Sequence, residues 1–359
     1  MDKYYQSGKK NTNWQRNALM VLCAVLALVL FVLIFATAYV NYLLGRLNRV
    51  DPSNESTLSL SEAIDILHTD PDVFTLDPNS TETYVDIGDV TFPTNITEPV
   101  DIGDHVINIL LVGQDRREYE TGRTRSDSMI MVTFNKEKNT ITLTSFMRDQ
   151  YVQIPGYLPN KLNSAYAFGG MNLLNETLLA NFGVIVDGDV EVDFSGFEKV
   201  INLLGGVEIT LTQKEADHLN SWYGYNLKAG AQWLDGEKAL SYARIRKIDT
   251  DYRRAERQRN VIMSLIKQFK NQPLTKILSL MDDILPLVTT NMTNSEILSY
   301  TRQLFPMLAT AQINTQRIPV DGTFEQGTVH MREGFYGWCQ YNIDFEANRE
   351  ILRRIFGTN

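Results

Sequence analysis

The sequence predicts an α/β layered domain built on a mixed β-sheet. Segments with strand patterning alternate with segments of helical spacing from residue 106 onward, which is the signature of a layered α/β fold. Two runs rich in β-branched residues, 128–134 and 140–147, flank the polar patch 135–139. That is a hairpin signal, and it makes the sheet mixed rather than all-parallel. The apolar run 106–112, ending at Gly113, suits a strand buried on both faces.

The chain has 359 residues, 43% of them hydrophobic, enough for a sizeable core and for one large domain or two smaller ones. Its formal net charge of −9 is unevenly spread. Residues 51–104 hold thirteen acidic residues and no Lys or Arg, so the remainder is about +4. This mildly basic body favours an anionic ligand but is too weakly charged to indicate nucleic acid. Cys23 lies in an apolar run and Cys339 near the far end, so no disulfide framework is indicated. The four histidines are scattered and lack zinc-ligand spacing.

Residues 1–17 are polar, with Lys3, Lys9, Lys10 and Arg16 against Asp2. Residues 18–40 carry no charge. At ~1.5 Å per residue they reach about 34 Å, enough to cross a bilayer core of ~30 Å. The basic flank predicts a cytoplasmic N-terminus and an extracellular body, hence a single-pass cell-membrane protein. Ala36-Thr37-Ala38 also resembles a signal-peptide cleavage site, but the apolar run exceeds an ordinary h-region. Residues 41–104 read as an extracellular acidic stalk. Within it, Ser59-Leu60-Ser61-Glu62 is a capping-box pattern before a short helix. The domain proper is expected at 105–359.

After the hairpin, residues 163–181 show helical spacing, broken at Gly169-Gly170. A strand at 190–194, a helix through Phe197, Val200, Ile201 and Leu204, and a strand at 207–211 follow. Residues 235–246 read as a helix, and so does 251–269. On the latter, Arg254, Gln258, Ile262, Leu265 and Phe269 share one face. Two long polar residues continuing an apolar stripe cap the core, line a pocket or snorkel to solvent. Arg244 and Arg246 cannot share a helix face, but both reach one ligand if the helix ends there. Helices at 274–288 and 294–308, an edge strand at 312–320, a loop at 323–337 and a helix at 344–356 complete the chain.

Pairing Phe134 with Thr140 puts Asp127 opposite Met147 and brings it to Arg148 at the open end of the hairpin, because cross-strand neighbours are about 5 Å apart at Cβ. Asp115 leaves the preceding strand just before this hairpin. Asp115, Asp127, Arg116, Arg123, Arg125 and Arg148 are therefore expected at one sheet edge. The same spacing also suits an ordinary solvated ion-pair cluster.

A series of blocks then carries a family resemblance: ILLVGQD, GRTRSDSM, SFMRDQYVQIPG, NKLNSAYAFGG, VDFSGFEKVINLLGGVEI, LDGEKALSYARIR and DYRRAERQ. In this order they resemble the LytR-CpsA-Psr family of membrane-anchored bacterial phosphotransferases, over about residues 106–270. The sequence departs from the pattern at Gln114, where the family usually has an aliphatic residue, and in a short 246–251 segment.

The resemblance implies an α/β/α sandwich with a central mixed sheet. It also implies magnesium-dependent transfer of an anionic glycopolymer, of wall teichoic acid or capsule type, from a polyprenyl pyrophosphate carrier to a peptidoglycan sugar hydroxyl. Carried over by position, Asp115 and Asp127 would hold Mg2+ or orient and deprotonate the acceptor hydroxyl, with Arg148 beside them. Arg125, Arg148, Lys161, Arg244, Arg246, Arg254 and Gln258 would grip the pyrophosphate, with the lipid in an apolar groove. Arginine forks suit phosphate oxygens, and magnesium takes one or two carboxylates plus substrate phosphate. Rival readings are a non-catalytic polyprenyl-phosphate binder and a pyrophosphatase acting on the carrier. A transcriptional role lacks a helix-turn-helix or a basic N-terminal domain to support it.

Overall fold

The computed structural model describes residues 37–51, 55–69, 73–75, 83–93, 99–114, 123–332 and 334–357. The expected cytoplasmic segment and all but the last four residues of the expected span lie outside them. No helix among the described residues is long and apolar enough to cross a membrane. The chain divides into two compact units, 1–46 and 47–359. The described part of the first is a helix, α1, at residues 37–44.

The second unit opens with β1 (Asn48–Arg49), α2 (Leu60–Thr69), β2 (Val73–Thr75) and β3 (Val85–Asp86). β4 (Val106–Gln114), β5 (Ser126–Asn135), β6 (Thr140–Phe146), β7 (Tyr151–Val152) and β8 (Asn160–Lys161) lead to α3 (Leu162–Phe182). Then come β9 (Gly188–Asp193), α4 (Phe194–Leu203), β10 (Val207–Leu211), α5 (Gln213–Tyr223), β11 (Gly230–Leu234), α6 (Gly236–Ala243) and α7 (Asp251–Asn271). The chain closes with α8 (Leu274–Ile284), β12 (Thr289–Thr290), α9 (Asn294–Thr310), β13 (Gln312–Ile318), β14 (Glu325–Arg332), β15 (Phe335–Tyr341) and α10 (Phe345–Phe356).

The central sheet has seven strands in the order β1-β12-β9-β4-β5-β6-β13. It is mixed: β4 pairs β9 in parallel and β6 pairs β13 in parallel, while β4, β5 and β6 run antiparallel. Its middle strands bury both faces. Leu110, Met129 and Met131 pack with α3 and α10 through Leu174, Phe182 and Leu352. The alternate residues Ile130, Val132 and Leu143 pack on the other side with Leu304 and Met307 of α9 and Ile262 and Ile266 of α7. The period-two alternation of a strand sends successive side chains to opposite layers, so near-continuous apolar runs give helices on both faces.

The hairpin register differs from expectation by one residue. Phe134 pairs with Ile141 and Asn135 with Thr140. Asn139 adopts a left-handed φ of 49°, and the Asn135 side chain accepts from Lys138 N at 2.9 Å. This turn chemistry keeps Asn135 in the ladder, and a one-residue slip exchanges the two faces. Continued outward, the true register sets Asp127 against Arg148 rather than Met147.

Two further expectations are corrected. The segment 323–337, expected as a loop, contributes β14 and the start of β15, an antiparallel pair. Val329 and Met331 point inward in strand alternation, which the intervening polar residues obscured. The described parts of the acidic stretch do not form a bare stalk: β1 joins the sheet edge, β2 and β3 flank the β14–β15 pair, and Ala63 and Val100 enter the core. The capping box does form, with Ser59 N donating to Glu62 Oε2 at 2.8 Å and Glu62 N to Ser59 Oγ at 3.3 Å.

The break in α3 has a structural use. Gly170 takes φ 67° and ψ −152°, a region essentially reserved for glycine. Beyond it the helix restarts, and Glu55 accepts hydrogen bonds from Met171 N at 3.1 Å and Asn172 N at 3.0 Å. A carboxylate there satisfies amides that have no partner within the helix. Arg123 pairs with this Glu55 at 3.4 Å, so it is turned away from the Asp127 edge where it was expected.

A Cβ at residue 170 would run into the Glu55 and Arg123 side chains. Gly170→Ala is expected to destabilise the fold by about 1–3 kcal/mol, read as a lower denaturation midpoint. An unchanged midpoint would contradict this account of the kink.

Candidate functional site

The site is built where strands β4 and β6 end, β5 begins, and helices α6 and α7 meet them. Asp127, at the start of β5, accepts Arg148 Nη1 at 3.2 Å. It also accepts Arg246 Nη2 through both oxygens, at 3.1 and 3.0 Å. α6 stops at Ala243, with Arg244 as its C-cap. The helix stops there and the chain continues without regular structure through residues 245–250, which lets two arginines that could not share a helix face serve one place. Arg244 lies 4.4 Å over the Phe194 ring, and Arg246 reaches Asp127 while staying 44% exposed.

α7 supplies the facing wall. Arg254, only 4% exposed, pairs with Asp251 one turn back at 3.6 Å. Arg148 Nε lies 3.5 Å from the other oxygen of Asp251. Asp127, Arg244, Arg246, Arg254 and Gln258 line one cavity of about 470 Å³, whose remaining walls include Leu111, Val190, Val192, Phe197, Ile262 and Leu265. Its charged rim continues into an apolar interior. The polar residues at the start of the α7 stripe therefore line a pocket rather than snorkel.

The electrostatics favour an anion. Burial, with Arg148 and Arg246 close by, pushes the Arg254 pKa down against the pull of Asp251 and Asp127. An added anion would relieve that strain among like charges. Behind the rim, Asp149 and Asp251 form a hydrogen-bonded acid pair. Burial pushes Asp149 up, and its contact with Asp251 adds to this against Arg148 and Lys161. Burial acts on Asp251 too, but the hydrogen bond from Asp149 and the charges of Arg254, Arg148 and Arg246 outweigh it and hold Asp251 low. Asp149 is thus the member of the pair that favours the proton, and Asp251 is the one placed to serve as counter-ion to the arginines.

Not every expected residue faces the cavity. Asp115 and Arg116 lie outside the described residues. Arg148 is not a lining residue; it holds Asp127 and Asp251 from behind. Arg125 is half-buried on the approach to β5 and does not line the cavity either. Lys161 is 2% exposed, with Nζ 4.0 Å from Asp149. Its place in β8, directly before α3, buries it against that acid rather than toward the cavity.

Three participants went unnoticed in the sequence. Asp251 stands three residues before Arg254 at a helix start, a spacing that could have indicated the pair. Asp149 directly follows Arg148. Arg257 ties the 244–250 loop down: it binds Glu215 at 2.7 Å, the Ile245 carbonyl at 3.2 Å and Asp249 at 3.1 Å. No cluster of three or more acidic, His or Cys residues that could hold a metal occurs among the described residues. Among the described residues that line the cavity, Asp127 is the carboxylate, which fits a magnesium ion that draws its other ligands from substrate phosphate and water.

Residues 78–335 match the LytR_cpsA_psr family model. The chain is 36% identical over 215 residues to the polyisoprenyl-teichoic acid–peptidoglycan teichoic acid transferase TagT of Bacillus subtilis (strain 168), covering 58% of this chain and 66% of that relative. Among solved structures, TagT bound to LIIa-WTA superposes with a TM-score of 0.58 at 28% identity, over 72% of this chain and 93% of the other. YwtF (TagT) with bound octaprenyl pyrophosphate lipid superposes at 0.55 and 25% identity, over 75% and 100%.

The buried acid pair has a pH signature. Asp149 binds its proton more tightly in the folded chain, with a pKa raised from 3.8 to about 7. Its contribution to stability is full below the unfolded value and is lost as pH rises toward 7, at up to about 1.4 kcal/mol per pH unit. Asp149→Asn should remove that decline, so the variant gains on the wild type in denaturant titrations between pH 4 and 8. Parallel curves over that range would contradict the assignment.

Proposed function

The chain belongs to the LytR-CpsA-Psr family, and from that premise we propose that it transfers an anionic glycopolymer from a polyprenyl pyrophosphate carrier to a peptidoglycan sugar hydroxyl. The observation that carries this reading is the joining of an arginine rim to an apolar cavity. A polyprenyl pyrophosphate has that same division, a multiply charged head on a hydrocarbon chain.

Arg244, Arg246 and Arg254 take the two phosphates, with Gln258 adding an amide contact, and the isoprenoid chain lies against Val190, Phe197, Ile262 and Leu265. Phosphoryl transfer depends mainly on positioning and on neutralising charge. Asp127 is held by Arg148 and Arg246. When the diphosphate draws Arg246 to itself, an Asp127 oxygen becomes available to orient the acceptor hydroxyl and receive its proton. The hydroxyl oxygen bonds to the phosphorus that carries the polymer, the bridging P–O bond breaks, and polyprenyl monophosphate leaves. Asp127, with Asp115 as the second carboxylate, would hold Mg2+, which supplies charge neutralisation at the phosphates. An uncleaved span at 18–40 would tether the body outside the cell, where carrier and peptidoglycan are both within reach.

The test uses the purified full chain with lipid-linked glycopolymer, peptidoglycan oligomers and magnesium. Joined polymer is expected, and it should disappear when a chelator removes magnesium. Asp127→Asn should lower transfer roughly 10²–10⁴-fold, the usual scale of acid–base catalysis, while lipid binding persists. Arg254→Gln should weaken lipid binding about 10- to 100-fold, the range for hydrogen bonds to charged groups. Recovery of hydrolysed polymer alone, or of bound lipid with no turnover, would overturn the transferase reading.

A further inference from the structure

α7 borders two sites. Arg254 and Gln258 line the apolar cavity. Tyr252, Arg253, Glu256 and Arg259 line a separate, solvent-open groove of about 430 Å³ against the end of β13. Its charges do not cancel. Arg253 pairs with Glu256 at 2.7 Å. Arg317 stacks 4.0 Å over the Tyr252 ring and binds Asp321 at 2.5 Å. Arg259 has no carboxylate within ion-pair distance among the described residues.

That arginine is 8% exposed. Its Nη1 donates to Ser145 Oγ at 2.7 Å, and its buried Nε has no acceptor. A buried guanidinium with no carboxylate in direct ion-pair contact is unfavourable, and Glu256 attracts it only from beyond that distance. Burial, with Arg317 adding to it against Glu256, pushes its pKa down. The groove therefore lacks one negative charge. Asp321, with an 85% exposed side chain, can be displaced from Arg317 by a better anion.

We propose that this groove is a second oxyanion site, in which Arg259 and Arg317 hold a phosphodiester of the glycopolymer whose pyrophosphate end occupies the cavity. The proposal rests on the function proposed above. The two sites take different residues of α7, and a helix with its side chains is ~10–12 Å across, which sets the scale of the span a polymer would cover. A diester presents two non-bridging oxygens, which suits a guanidinium fork. Such a site grips the polymer beyond its reacting end and so selects anionic over neutral chains.

The test is calorimetric binding of a glycerol-phosphate oligomer, lacking lipid and pyrophosphate, to the full chain. Wild type should bind it, and Arg259→Gln and Arg317→Gln should each weaken binding tenfold or more. Arg317, nearer the surface, keeps the test open if Arg259→Gln fails to fold. Arg244→Gln should bind the oligomer as wild type does while losing octaprenyl pyrophosphate. Unchanged oligomer binding in both groove variants would overturn the second site. So would inorganic phosphate competing as well as the oligomer at equal phosphate concentration. Retained octaprenyl pyrophosphate in Arg244→Gln would instead count against the cavity reading alone.

Discussion

Arg148, Arg244, Arg246 and Arg254 are gathered at one sheet edge beside an apolar cavity, and the rest of the site follows from the need to keep them apart from one another and supplied with counter-charge. Guanidinium groups stay charged in proteins, so the fold cannot neutralise them by releasing protons. It sets Asp127 between Arg148 and Arg246, and Asp251 between Arg148 and Arg254. Positive charge remains in surplus there. On the proposed function, a diphosphate would complete the cluster and the cavity beside it would shelter the hydrocarbon, so one ligand chemistry would answer both features.

The supporting shell explains how these arginines are held in place. Arg257, buried on α7, fixes the loop that carries Arg244 and Arg246 through Glu215, Asp249 and the Ile245 carbonyl. Burial raises the Asp149 pKa, and its hydrogen bond, with the charges of Arg254, Arg148 and Arg246, holds the Asp251 carboxyl low. Glu55 and Arg123 hold the restarted half of α3. None of these groups lines the cavity. Their loss would act on the site by letting first-contact residues move, because charged ligands must be held to within a fraction of an ångström to work.

Much of this was legible in the sequence, for physical reasons. The buried strands β4 and β5 and the stripe on α7 are set by periodicity, and periodicity survives without coordinates. The meeting of Asp127 with Arg148 followed from where the hairpin strands stop, while its convergence with Arg246 and Arg254 was implied by the family resemblance. What the sequence hid was decided by tertiary contact. The hairpin slipped by one residue because Asn135 and Asn139 shape its turn. β14 and β15 were masked by polar residues on their outer faces, and the acidic stretch packs on the body through a few apolar residues such as Ala63 and Val100. Lys161 read as a phosphate ligand by position, yet its strand buries it against Asp149. Residue type alone could not distinguish that partner from a phosphate.

The most direct measurement is a structure of the full chain with octaprenyl pyrophosphate bound. Both phosphates are expected among Arg244, Arg246 and Arg254, and the isoprenoid chain against Val190, Phe197, Ile262 and Leu265. Phosphates bound elsewhere, or a hydrocarbon chain lying outside that cavity, would contradict this expectation.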